Sequence, residues 1–176
     1  MFEAWETFYL LIGTSAAALV GVMFIVTTLT AEIEADTINR GVVIYQNPLV
    51  FHLGAIFAAS AVILVPDHDI VRAVLLAALG IAGFIYSVRT LLRIFEPYEF
   101  YEPTIWDKLF YGFAPCLLYL LLGAGGLASL WTTEFAVDAI SATTLVLLVV
   151  SIRNAWDVAV FAVRIASQRP AKPKER

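Results

Sequence analysis

The stretch TFYLLIGTSAAALVGVMFIVTTLTA, residues 7–31, contains no charged side chain and is bounded by Glu6 and Glu32. The hydrocarbon core of a bilayer is about 30 Å thick, and roughly 20 helical residues are needed to cross it. We therefore predict a transmembrane helix here. Residues 41–66 and 109–133 are likewise free of Asp, Glu, Lys and Arg, and they predict two more such helices.

The overall composition agrees with a membrane environment. Hydrophobic residues make up 61% of the chain and charged residues 15%, and the mean hydropathy is +0.85. A soluble domain is typically about 45–50% apolar and about 25% charged. A single water-soluble globule of 176 residues cannot cover that much apolar surface, so lipid must surround much of the chain.

Two further spans contain charges. Residues 70–95 have arginines only towards their ends, where the apolar stems can extend to the interface. The last span begins near Thr133, and its inner boundary lies at either Arg153 or Arg164, a choice that the sequence leaves open.

The expected fold is an all-α membrane bundle of five transmembrane helices in one domain, residues 1–166. A Pro-rich and basic tail, residues 167–176, is expected to be disordered in the cytoplasm. The predicted helices cover about residues 7–31, 42–66, 70–95, 108–131 and 134–164.

Basic residues predict the orientation, because Lys and Arg concentrate in cytoplasmic loops. The N-terminal segment and the turns on its side of the membrane carry one basic residue, Arg72. The opposite side carries nine, which predicts an outside N-terminus and a cytoplasmic C-terminus. These nine are Arg40, Arg89, Arg93, Lys108, Arg164, Arg169, Lys172, Lys174 and Arg176.

Polar side chains inside apolar helices are costly, so they are the candidate functional residues. Asn47, His52, Arg153, Asn154 and Asp157 are expected in the inner half of the bundle, as a polar layer or gate. The i, i+4 spacing of Arg153 and Asp157 allows an ion pair. The alternative is a purely structural pair that fixes the last helix against Asn47 or His52.

A second polar set lies on one arc of the last helix: Asp138, Ser141, Thr144 and Ser151. If copies of this helix surrounded an axis, the set would be a possible pore-lining stripe with a carboxylate at its outer mouth. Serine and threonine also hydrogen-bond within and between transmembrane helices without any pore, so both interpretations remain open.

Two prolines are expected to disturb the helices. Pro48 and Pro115 lack a backbone donor, and in α-helical spacing the freed carbonyls are those of Ile44 and Tyr111. Lipid cannot satisfy a carbonyl, so both sites are expected to face protein.

The first helix carries small residues at four-residue spacing: Gly13, Ala17 and Gly21. Small residues allow close helix packing in lipid. Packing within the chain and packing between copies are both compatible with this face.

No catalytic signature is present. The sequence contains no grouping of nucleophile and base, no metal-ligand spacing and no phosphate-binding loop, so we predict a non-enzymatic protein without metal or cofactor. Two facing histidines would suggest haem, but the second histidine, His68, falls in an external turn. Nucleic-acid binding has no support beyond the basic tail.

Three segments carry a resemblance to known proteins: Gly13, Ala16-Ala17-Ala18-Leu19 and Gly21; Asn47-Pro48-Leu49-Val50 with His52; and Arg153-Asn154-Ala155-Trp156-Asp157. With these segments the chain resembles an uncharacterised family of small multi-pass bacterial inner-membrane proteins with no established activity. The resemblance implies a bacterial plasma-membrane location and no mechanism.

Two functions fit these features. The first is a homo-oligomeric channel or pore-like protein for a small ion or solute. The second is an accessory or regulatory subunit that docks on another membrane protein complex through the loop at residues 95–107. A secondary transporter is a weaker third, because five spans contain no even inverted repeat.

Overall fold

A computed structural model describes residues 5–30, 42–65, 68–96, 102–131 and 133–167, and these contain helices and no strand. Five helices are long and apolar enough to cross a membrane. The prediction of an all-α bundle with five candidate transmembrane helices is therefore confirmed. The main helices are α1 (Glu6–Thr30), α2 (Asn47–Ile63), α3 (Asp69–Phe95), α4 (Ala114–Ala128) and α5 (Thr133–Ser167).

Two of these helices are preceded by π-helical turns. The first π turn, Val42–Gln46, leads into α2. The second, Lys108–Phe113, leads into α4 and follows a single α-helical turn, Ile105–Asp107, that Thr104 caps. Within the predicted loop at residues 95–107, residues 97–101 lie outside the described part of the chain.

Helix α5 continues without interruption through Arg153 and ends at Ser167. Arg153 is therefore not the end of the helix. Of the predicted basic tail, residues 168–176 lie outside the described residues.

The helices are arranged as a closed ring in chain order. Each packs against the next, α5 returns to α1, and α2 also contacts α5 across the bundle. Helices consecutive in the chain are antiparallel: Gly83 of α3 meets Tyr119 of α4, whereas Leu91, further along α3, meets Gly112 before α4. Helices α1 and α5 are parallel, since Tyr9 near the start of α1 meets Ser141 near the start of α5. One end of the bundle therefore contains both π turns, and we call it the π-turn end. At the other, the short-turn end, α2 and α4 finish.

Helix α2 lies deep in the bundle. Its contacts with α1, α3 and α5 leave Leu49, Leu53 and Ile56 with almost no exposed surface. Helix α1 is the least buried of the five helices, since only 28% of its most apolar segment is buried inside the chain. The rest of α1 is an apolar outer face that suits lipid or a neighbouring helix.

Helices α3 and α4 approach each other most closely, through glycine. A Cβ atom added at Gly80 would overlap the backbone of Gly123, and one added at Gly126 would lie 2.9 Å from the backbone nitrogen of Ala77. The contact is backbone against backbone, so no side-chain rotation can make room. Close approach through small residues is the main source of helix association in lipid.

We expect Gly80→Ala to lower the free energy of unfolding by about 1–3 kcal/mol, the usual cost of overpacking a packed interior. Loss of helicity in detergent, followed by circular dichroism as denaturant is added, measures the change. Gly54→Ala is the matched control, since Gly54 is exposed and no atom lies within 4 Å of its added Cβ. Equal stability of Gly80→Ala and the wild-type protein would contradict the close contact.

Candidate functional site

The two π turns end next to the two prolines in the apolar helices. Pro48 stands at the start of α2 directly after the first π turn, and Pro115 stands at the start of α4 directly after the second. Tyr45 of the first turn and Tyr111 of the second touch edge to face, with ring centroids 4.9 Å apart and planes at 85°. The irregular segments of α2 and α4 therefore meet at the same end of the bundle.

The second π turn determines which carbonyl Pro115 leaves free. At the end of this turn, the amide of Ala114 bonds to the carbonyl of Leu109, five residues earlier. In the same five-residue spacing, the backbone amide of residue 115 would bond to the carbonyl of Phe110. Residue 115 is proline and has no amide hydrogen, so the Phe110 carbonyl is left without this donor. The expectation that Tyr111 carries the freed carbonyl is therefore off by one residue, because it assumed α-helical spacing.

Asn154 of α5 replaces the missing donor. Its Nδ2 donates to the carbonyl oxygen of Phe110 over 3.0 Å, and its side chain is fully buried. The Tyr111 hydroxyl donates in turn to the Asn154 backbone carbonyl over 3.1 Å. Helix α5 and the second π turn are thus joined by two reciprocal hydrogen bonds. The expectation that a neighbouring helix satisfies the proline site holds here, at Phe110.

The predicted ion pair forms at the same place. Arg153 lies 3.0 Å from the carboxylate of Asp157, and both side chains are partly exposed, at 35% and 43%. Arg153 also donates to Oδ1 of Asn154 over 3.1 Å, and its guanidinium lies 4.2 Å from the Phe110 ring centroid. Asn154 therefore connects a charged pair at the bundle surface to the irregular turn inside.

Asn47 does not join this group, because its side chain is exposed. His52 is fully buried but lies elsewhere: its Nδ1 is 3.0 Å from the Tyr119 hydroxyl of α4. The Nε2 of His52 is buried without a hydrogen-bond partner among the described residues. The predicted polar layer is thus two groups, one around Asn154 and one around His52.

Three residues of the predicted stripe face the interior of the bundle. Ser141, Thr144 and Ser151 are each at most 2% exposed. Their hydroxyls bond to carbonyls one turn earlier in α5, at 2.7–2.8 Å. Ser141 also meets the Tyr9 hydroxyl of α1 at 2.7 Å, whereas Asp138 is exposed.

These groups lie at successive levels along the bundle axis. Helices α4 and α5 are antiparallel, with Gly125 beside Ile140 and Tyr111 beside Asn154. Tyr119 therefore lies at about the level of residue 146 of α5, between Thr144 and Ser151. At about 1.5 Å per residue, the series from Ser141 to Asn154 spans roughly 20 Å, with no step longer than about 8 Å. We call it the polar column; its members are Tyr9, His52, Tyr111, Tyr119, Ser141, Thr144, Ser151 and Asn154.

Tyr9 and Tyr119 of the polar column are residues that sequence reasoning did not select, whereas Tyr111 was among the residues that it named. A signal for them existed, because a tyrosine in an apolar run has a hydroxyl that needs a partner when buried. Tyr9, Tyr111 and Tyr119 each have such a partner on another helix.

The small-residue face of α1 is divided by the fold. Gly13 packs inside the chain, where an added Cβ would lie 3.0 Å from the Cβ of Ser60 on α2. Ala17 is exposed, and an added Cβ at Gly21 would meet no atom within 4 Å. Only the first of the three predicted packing residues therefore packs within the bundle.

Within the described part of the chain, no three His, Cys, Asp or Glu side chains are grouped so as to hold a metal ion. No family model, curated protein or solved structure matches the chain. Its candidate site therefore has to be interpreted from its own geometry.

We expect Asn154→Ala to destabilise the protein by about 1–3 kcal/mol, since it leaves the buried Phe110 carbonyl without a donor. Denaturant unfolding in detergent measures this change. Ser151→Ala is the control: it also removes a buried polar group, but that hydroxyl bonds only within its own helix, to Leu147. If both variants lost the same stability, the bond between helices would not be the important one.

Proposed function

We propose that the protein is a non-enzymatic, multi-pass protein of the bacterial inner membrane that passes a small ion or solute. The N-terminus lies outside and the C-terminus in the cytoplasm, as the distribution of basic residues suggests. The observation that supports this function is the polar column, because buried polar groups in transmembrane helices are typical of substrate and ion pathways.

The proposed path runs through the interior of each chain. Ser141, Thr144 and Ser151 point into their own bundle, so copies of α5 would not present them to a shared axis. This placement differs from the stripe around an oligomer axis that the sequence suggested. Oligomerisation then brings copies side by side, each with its own path.

The two π turns are the proposed moving part. Tyr111 and Asn154 close the column at the π-turn end, where they are 3% and 0% exposed. π-helical segments occur often at functional sites, and prolines permit bending because a hydrogen bond is already missing. A small rotation of the second π turn would exchange the Asn154 bonds for solute or water.

A cysteine placed in the column tests the path. In a Cys116→Ala background, Ser151→Cys replaces an oxygen by sulfur with little change in size. Reconstituted into liposomes, this variant should pass solute. The same variant labelled with methyl methanethiosulfonate in detergent, before reconstitution, should not, because the attached group fills the column. Flux is followed by light scattering for neutral solutes and by an ion-sensitive dye for ions.

Val149→Cys in the same background is the matched control, since Val149 is 56% exposed on the outer face of α5. Its modification should leave the flux unchanged. Equal block of both variants would show that the reagent acts outside the column. Liposomes that remain impermeable with the wild-type protein would remove the proposed function.

A second candidate is an accessory subunit bound to another membrane protein. The favouring observation is the outer face of α1, where Ala17 and Gly21 leave space for the backbone of a foreign helix. Trp106, within the predicted docking loop, is also 58% exposed.

Gly21→Leu tests whether the outer face of α1 binds a second copy of this chain or another membrane protein. We expect the wild-type protein to form oligomers in nanodiscs, resolved by native mass spectrometry, and Gly21→Leu to reduce them by filling the space. Gly54→Leu is the control, because Gly54 is an exposed glycine on α2 with equally open surroundings. A monomeric wild-type protein that co-purifies with another membrane protein, and loses it in Gly21→Leu, would favour the accessory subunit instead.

A further inference from the structure

The interior of the bundle is polar but carries almost no charge. The buried polar side chains among the described residues are hydroxyls, amides and one imidazole, with a single exception, Arg72. Arg72 lies at the start of α3, where it donates to Asp69 and to the Val65 carbonyl. It therefore belongs to the short-turn end and contributes no charge to the middle of the column.

The carboxylates that could balance a cation lie outside the column. Asp138 is exposed, and Asp157 is 43% exposed and already paired with Arg153. Ion-selective pores use rings of carbonyls or charged side chains to replace the ion's hydration shell. The described interior offers neither, since its helix carbonyls are largely used by the helices themselves. An ion in the column would lose its water without compensation.

A neutral molecule meets a different environment. The hydroxyls of Ser141, Thr144 and Ser151 donate to their own helix. The oxygens of Thr144 and Ser151 therefore remain able to accept, whereas the oxygen of Ser141 already accepts from Tyr9. Nε2 of His52 and the hydroxyls of Ser60 and Ser87 are buried with no hydrogen-bond partner among the described residues. Unsatisfied buried groups of this kind are usual positions for water.

The packing around the column restricts the size of what can pass. Leu49, Leu53, Ile140 and Leu147 are at most 2% exposed and belong to the packed apolar core of the bundle. The Tyr119 ring lies directly against Gly83, where even a methyl group would overlap it. A bulky solute has no room without separating the helices.

We propose that the polar column takes a small, uncharged, hydrogen-bonding solute of about the size of water, and that it excludes inorganic ions. Each polar level offers such a molecule a donor or an acceptor in place of the water that it leaves behind. This inference rests on the proposed function, since it specifies what the column passes.

The test compares two fluxes through the same proteoliposomes containing the full chain. Water flux is measured by stopped-flow light scattering after a sucrose step, and proton and potassium flux by an internal pH dye with and without valinomycin. We expect faster osmotic shrinkage than in protein-free liposomes and no increase in ion leak. Increased ion leak, with or without faster shrinkage, overturns the exclusion of ions but leaves the proposed function intact. No change in either flux overturns both.

The variant Thr144→Val tests whether the water flux passes through the polar column. Thr144→Val keeps the size of the side chain, and the Thr144 hydroxyl bonds only to the Ile140 carbonyl of its own helix, so folding should be preserved. The protein-dependent component of the shrinkage rate should be lost. Val146→Leu, on the outer face at 46% exposure, should retain it. Normal circular dichroism of both variants excludes misfolding as the cause, and full water flux in folded Thr144→Val would refute the assignment.

Discussion

A polar group inside an apolar bundle must find its partner in the protein, because lipid supplies none. This constraint acts most visibly at Pro115, whose missing amide leaves the carbonyl of Phe110 without a donor. Asn154 supplies one from α5, and Tyr111 returns a second hydrogen bond to Asn154. The fixed register between α4 and α5 follows from this exchange. That register sets the levels of the polar column.

The same constraint explains which features the sequence predicted well. The five helices follow from the length and charge of the apolar runs, since only helices of that length satisfy their own backbone across a bilayer. Arg153 and Asp157 pair as their spacing suggests. The Pro115 site faces protein, as expected from the missing donor. In each of these, local chemistry alone determines the outcome.

The faces of the helices are harder to predict, for a physical reason. Lipid and the bundle interior are both apolar, so hydropathy does not show which side of a helix points inward. Residues four apart also drift by about 40° around a helix, which is why Gly13 is buried while Gly21 faces outward. Three members of the predicted stripe on α5, Ser141, Thr144 and Ser151, share an inward face, whereas Asp138 is exposed, and the sequence does not show which way such a stripe points. The π-helical hydrogen bonding before Pro115, which makes Phe110 rather than Tyr111 the residue with the freed carbonyl, could not be predicted from the sequence.

The inward direction of the α5 hydroxyls places the candidate polar site inside one chain and not on an axis between copies. On an outer face they would meet lipid or a neighbouring copy, and a shared polar site would exist only in an oligomer. Inside one chain, Ser141 meets Tyr9 of α1, Asn154 meets Tyr111 of the second π turn, and His52 of α2 meets Tyr119 of α4. One chain therefore contains the whole column. The charged residues remain at its ends, where Arg72 and the Arg153–Asp157 pair are already compensated. An uncharged interior between two compensated ends favours a neutral solute over an ion. A neutral molecule can replace its hydrogen bonds to water by hydrogen bonds to hydroxyl and imidazole groups, whereas an ion would leave a charge in a medium of low dielectric constant.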